Sequence, residues 1–119
     1  MKLYCASKTI HAGKWRSLRA SGVLVISTWI DEAGVGETSS FSDLWQRCID
    51  EACEADAMLL YREPGEVLKG AFVEAGAALA SSKPVHAVGC TDFSFINHRL
   101  VVTHASLEDA LEALGVARP

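Results

Sequence analysis

The chain has 119 residues, half of them apolar and 22% charged, with a formal net charge of −4. That is the size of one domain, 1–119, with enough burial for its own core and too much apolar content for disorder. No Lys/Arg run supplies the surface that nucleic acid needs, and no apolar run reaches the roughly 18 residues that span a bilayer. Neither nucleic acid nor membrane is therefore an expected partner. Residues 1–5, Met-Lys-Leu-Tyr-Cys, are already strand-like and lack a signal-peptide core, so a cytoplasmic location is expected.

In chain order, residues 2–7 read as a first strand. A helix follows over 13–20, with Trp15 and Leu18 three apart and Gly22 placed to stop it. The run Val23-Leu24-Val25-Ile26-Ser27 has the length and β-branching of a second strand buried on both faces. Residues 28–40 read as a loop. Ser40 and Asp43 have capping-box spacing for a helix to about residue 55, with Leu44, Trp45, Cys48, Ile49 and Ala52 on its buried side. Residues 57–61 are a third strand. After a turn at 63–66, a small-residue helix is expected over 67–80. Residues 84–88 form a fourth strand and 101–104 a short fifth. Ser106 caps a last helix ending near 114–115, and the tail at 116–119 should fray.

Alternating strands and helices predict an α/β fold. The specific expectation is a flavodoxin-like, doubly wound parallel sheet of five strands in the order 2-1-3-4-5, with helices on both faces. Such sheets bind ligands beyond the carboxyl ends of their strands. Those ends are Cys5-Ala6-Ser7, Ser27-Thr28-Trp29, Tyr61-Arg62-Glu63, Val88-Gly89 and Thr103-His104.

Within that rim, residues 64–70 lead into a helix start whose free amides suit a phosphate or carboxylate, although an ordinary turn fits the same pattern. Glu74 interrupts the apolar stretch 70–79. A carboxylate packed on a sheet needs partners or a raised pKa, and suits nucleophilic or acid/base work; a glutamate on the solvent face of the helix is the alternative. Trp29 near Asp31 and Glu32 suits a stacked base with a ribose hydroxyl, or else a solvated acidic loop. Asn97 and His98 lie in an irregular segment. There is no Walker loop, no Gly-x-Gly-x-x-Gly after the first strand and no Gly-x-Ser-x-Gly elbow. Cys5, Cys48, Cys53 and Cys90 form no Cys-x-x-Cys pair and read as reduced thiols. Neither a metal nor a cofactor is expected, whether from these or from His11, His86, His98 and His104.

Four pieces together resemble the nucleoside 2-deoxyribosyltransferase-like family, which includes nucleoside 5′-monophosphate N-glycosidases. They are Lys2 with Tyr4, Ala55-Asp56 leading into an apolar strand, Gly70 followed by Glu74-x-Gly76, and Lys83-Pro84-Val85. The resemblance implies a protein that breaks or exchanges an N-glycosidic bond, with a nucleoside or nucleotide as partner and a homodimer or larger assembly. It maps the nucleophile onto Glu74 and an aromatic near the site onto Tyr4. It places the contribution of a neighbouring subunit in the Asn97-His98 region. The sequence departs from the family at Leu68, where an Asp or Ser is usual, and at Cys48, where an acid is usual. Asp31, Glu32 and Glu66 are the acids available to substitute. Those departures favour a non-catalytic nucleotide-binding sensor as the alternative; an oligomeric scaffold without a small ligand is a third reading.

Overall fold

A computed structural model describes residues 1–33 and 38–116. The loop reading at 34–37 and the fraying tail at 117–119 lie outside the described residues. The strands are β1 (Leu3–Ala6), β2 (Ala57–Tyr61), β3 (Val85–Val88) and β4 (Val101–His104). The helices are α1 (Ala12–Ala20), α2 (Phe41–Glu54), α3 (Gly70–Ala80) and α4 (Leu107–Ala113), with 3-10 turns at Thr9–His11, Thr28–Asp31 and Ser94–Asn97. Ser40 and Ser106 cap α2 and α4, each hydroxyl accepting the amide three residues on.

The sheet is all parallel, with four strands in the order β1-β2-β3-β4. The expected five-stranded sheet of order 2-1-3-4-5 does not form. Its second strand, residues 23–27, contributes one isolated parallel bridge, Leu3 to Val25. The reason lies in hydrogen bonding. The Val25 amide turns back to the Val23 carbonyl at 2.9 Å, which breaks the extended ladder. The next β1 amide, that of Cys5, is then taken by the Ser27 hydroxyl at 3.2 Å instead of a backbone carbonyl. Leu24 is 56% exposed, so the run is not buried on both faces as its composition suggested.

Alternation along the strands divides the core into two layers. Tyr4, Ala6, Met58, Leu60, Val85 and Ala87 share the face that α3 covers, with α2 packed beside α3. Cys5, Leu59, Tyr61 and His86 share the other face. There Trp15 of α1 meets Tyr61 edge-on at 5.6 Å, and α4 packs on β3 and β4. The helix expected from residue 67 starts at Gly70, which leaves residues 62–69 as a loop over the carboxyl end of β2.

Beyond β3 the chain turns at Gly89, with φ +76°, directly over the Arg62 carbonyl. A Cβ there would lie 2.1 Å from that oxygen. Gly89→Ala should therefore cost about 2 kcal/mol or more, a fall in melting temperature of about 6–10 °C. Gly115→Ala is the control, because its φ is +72° but nothing lies within 4 Å. It should cost about 1 kcal/mol. Equal losses in calorimetry would show that the contact with Arg62 does not matter.

Candidate functional site

The loops after β1 and β2, the N-terminal half of α3 and one side of α2 enclose a cleft of about 550 Å³. Ser7, Trp29, Gly70 and Glu74, picked from the sequence, all line it. Lys8, Thr9, Trp45 and Cys48 complete the walls with Leu44 and residues 67–71.

Glu74 owes its position to helical spacing. It stands three residues after Ala71 and four before Ala78, both buried against the sheet, so the three share one face. The carboxyl is thus directed inward and is only 7% exposed, which decides against a solvent-face glutamate. Burial pushes its pKa up to about 7. The nearby Tyr4 hydroxyl and Cys48 thiol pull in the opposite direction, and the charge of Glu51 adds to the rise.

Tyr4 does not itself line the cleft. It lies behind Glu74, fully buried, and its hydroxyl has no hydrogen-bond partner of good geometry among the described residues. Burial and the Glu74 charge hold that hydroxyl protonated far above its ordinary range. The Cys48 thiol is likewise pushed up by burial, to about 11, so it is no thiolate near neutrality. Glu51 is the second carboxylate near Glu74, but Thr28 occupies both its oxygens, the amide at 3.0 Å and the hydroxyl at 2.8 Å.

The two tryptophans are held differently. The Trp29 indole N–H donates to the buried Cys5 carbonyl at 2.8 Å, which fixes its ring in the wall. Trp45 lies across Gly70: a Cβ at position 70 would be 2.7 Å from the indole. Gly70 is therefore small because an aromatic ring rests on it. Sequence reading put Trp45 on the buried side of its helix, and nothing in the linear pattern pairs it with Gly70. Lys69 precedes α3, which starts without a side-chain cap, and among the described residues no carboxylate lies within ion-pairing distance of Lys8 or Lys69.

The other sequence candidates lie elsewhere. Asp31 is bound by both terminal nitrogens of Arg19, at 2.7 and 2.8 Å, on the surface. Glu32 pairs with Arg47 at 2.8 Å. Glu66 borders a neighbouring depression and contacts His11 at 2.8 Å. Asn97 and His98 are exposed and bond within their own turn, to Ser94 and Leu100. No helix among the described residues is long and apolar enough to cross a membrane.

The structure of Clostridium botulinum CMP N-glycosidase, BcmB, matches with a TM-score of 0.64 over 98% of this chain and 100% of that one, at 16% sequence identity. The chain shares the fold of a CMP N-glycosidase. No family model and no curated protein matches the sequence.

The burial of Glu74 has a consequence for stability. Its folded value of about 7 exceeds the ordinary 4.5, so the folded chain keeps a proton that the unfolded chain releases. Stability from this group is complete below pH 4.5 and is lost as pH rises to about 7, by about 3 kcal/mol. Glu74→Gln removes that dependence. In urea unfolding, the stability of the variant relative to wild type should improve by up to about 3 kcal/mol between pH 4.5 and pH 8. Parallel pH profiles for the two proteins would show that the carboxyl is not desolvated.

Proposed function

We propose that the chain is a nucleotide-handling N-glycosidase or glycosyltransferase in which Glu74 is the nucleophile. The observation that carries this reading is a buried carboxyl lining a cleft with two tryptophans and two unpaired lysines, on a fold shared with a CMP N-glycosidase. In its ionised form Glu74 would attack the anomeric carbon. The bond from that carbon to the base nitrogen breaks, and the base leaves with the bonding pair and takes up a proton. Water or an acceptor hydroxyl then attacks the glycosyl ester, which returns the carboxylate. Lys8, Lys69 and the first amides of α3 suit an anionic phosphate, and Trp29 or Trp45 suits a flat base. The homo-oligomer implied by the family resemblance belongs to this reading. A second copy would cover the exposed apolar side chains Phe41, Val67 and Val73.

A second reading, a non-catalytic nucleotide-binding module, draws on Leu68 and Cys48. Neither supplies the acid that the resemblance places there, and Glu51 is held by Thr28.

Mass spectrometry of nucleosides and nucleoside 5′-monophosphates incubated with the protein distinguishes the two readings. We expect release of free base from a monophosphate, with kcat/KM rising with pH through about 7 as Glu74 ionises. Glu74→Gln should lower turnover by at least about a thousandfold while still binding the nucleotide. Binding without base release by the wild type would establish the second reading. Turnover that survives in Glu74→Gln would remove Glu74 from the mechanism.

A further inference from the structure

We propose that His11, Glu63 and Glu66 form a site for one divalent transition-metal cation, apart from the cleft. His11 closes the Thr9–His11 turn after β1, and the two glutamates lie in the loop after β2. The parallel pairing of β1 with β2 brings those segments side by side. His11 Nε2 is 2.8 Å from Glu66 Oε2 and 3.9 Å from Glu63 Oε1, and one ligand atom from each residue lies within 4.8 Å of the others.

The carboxylates are oriented by their other oxygens. The Tyr61 hydroxyl donates to Glu63 Oε2 at 2.7 Å, and the Glu63 amide donates to Glu66 Oε1 at 2.8 Å. The remaining oxygens therefore face the imidazole. Outer donors orient the first ligands of metal centres in this way. Tyr61 also packs edge-on against His11, with ring centroids 5.1 Å apart, which sets the plane of the imidazole.

Ligand atoms at 2.0–2.2 Å from one ion lie about 3–3.5 Å from each other. Closing the set thus needs a shift of up to about 1–2 Å by Glu63, whose side chain is 43% exposed. Two carboxylates and a neutral imidazole balance a charge of +2. The nitrogen donor favours Zn²⁺ or Co²⁺ over the all-oxygen cations Ca²⁺ and Mg²⁺. Of the three ligands, Glu66 also borders an open depression of about 440 Å³, which Lys8, Thr9, Ile10, Gly65 and Val67 complete. A bound ion ties the turn after β1 to the loop after β2, which are two walls of the cleft. Its role is structural, and it stands whether or not Glu74 is catalytic.

The test is titration of the chelator-treated full chain with Co²⁺, followed by its visible absorption, and with Zn²⁺ by calorimetry. Saturation is expected at one ion per chain, with a higher melting temperature in the bound form. Glu63→Gln keeps an acceptor for Tyr61 and should weaken binding at least tenfold. Glu63→Asp, which withdraws the carboxylate by one methylene, should weaken it as well. The competing site is the His86–His104 pair, whose facing nitrogens are 2.9 Å apart. His104→Gln should leave the affinity unchanged. Absence of binding, or affinity that survives both Glu63 variants, or affinity lost in His104→Gln, would overturn the assignment.

Discussion

An edge strand of a parallel sheet presents backbone donors and acceptors that must be satisfied by something other than a neighbouring strand if none completes the ladder. On β1 two side chains do this for Cys5. Ser27 accepts its amide hydrogen, and the Trp29 indole donates to its carbonyl. Both partners are buried with it, so the bonds are made where leaving them unmade would be costly. The same contacts build the cleft. Trp29 is fixed as a wall, and Tyr4, the residue before Cys5, points to the face of the sheet opposite the Cys5 side chain, where α3 brings Glu74. Edge closure and site construction are therefore one arrangement.

Glu74 is the main electrostatic liability of that arrangement. A carboxylate among alanines is disfavoured by desolvation, and Glu51 adds like charge. The partial compensation is local: the Tyr4 hydroxyl and the Cys48 thiol lie close by. A carboxyl poised near neutrality has both protonation states available at little cost, the condition that favours groups whose charge changes during a reaction. The nearby Tyr4 hydroxyl, buried without a partner of good geometry, favours the ionised form of Glu74.

Much of the fold was legible in the sequence, because apolar runs of strand length and helical spacing report burial. They located all four strands, and Ser40 and Ser106 were readable as caps. Residues 23–27 show the limit of that signal. Their composition is that of a buried strand, yet pairing depends on where individual amides point, and the Val25 amide points back along its own chain. The site was legible in part for a similar reason. Strand ends, a helix start and a carboxylate in an apolar stretch pointed to Ser7, Trp29, Gly70 and Glu74, which line the cleft, whereas Asp31 beside Trp29 lies outside it with both oxygens bound by Arg19 of α1. His11 and Glu66 are 55 positions apart and meet only through strand adjacency, so no spacing rule could join them.

The departures at Leu68 and Cys48 change what the cleft can do with a proton. Leu68 has no ionisable group, and the Cys48 thiol, held up at about 11, keeps its hydrogen near neutral pH. Glu51 has both oxygens engaged by Thr28, and Lys8 and Lys69 contribute positive charge at the rim. Among the described residues lining the cleft, Glu74 is then the group that exchanges a proton near pH 7. A site with two acids can divide attack and proton transfer between them. Under the proposed reading, attack would fall to the carboxylate of Glu74, and protonation of a departing base would fall to solvent or to the base itself. On that reading, bases that depart readily as they stand would suit this cleft better than those that need a strong acid held against the leaving nitrogen.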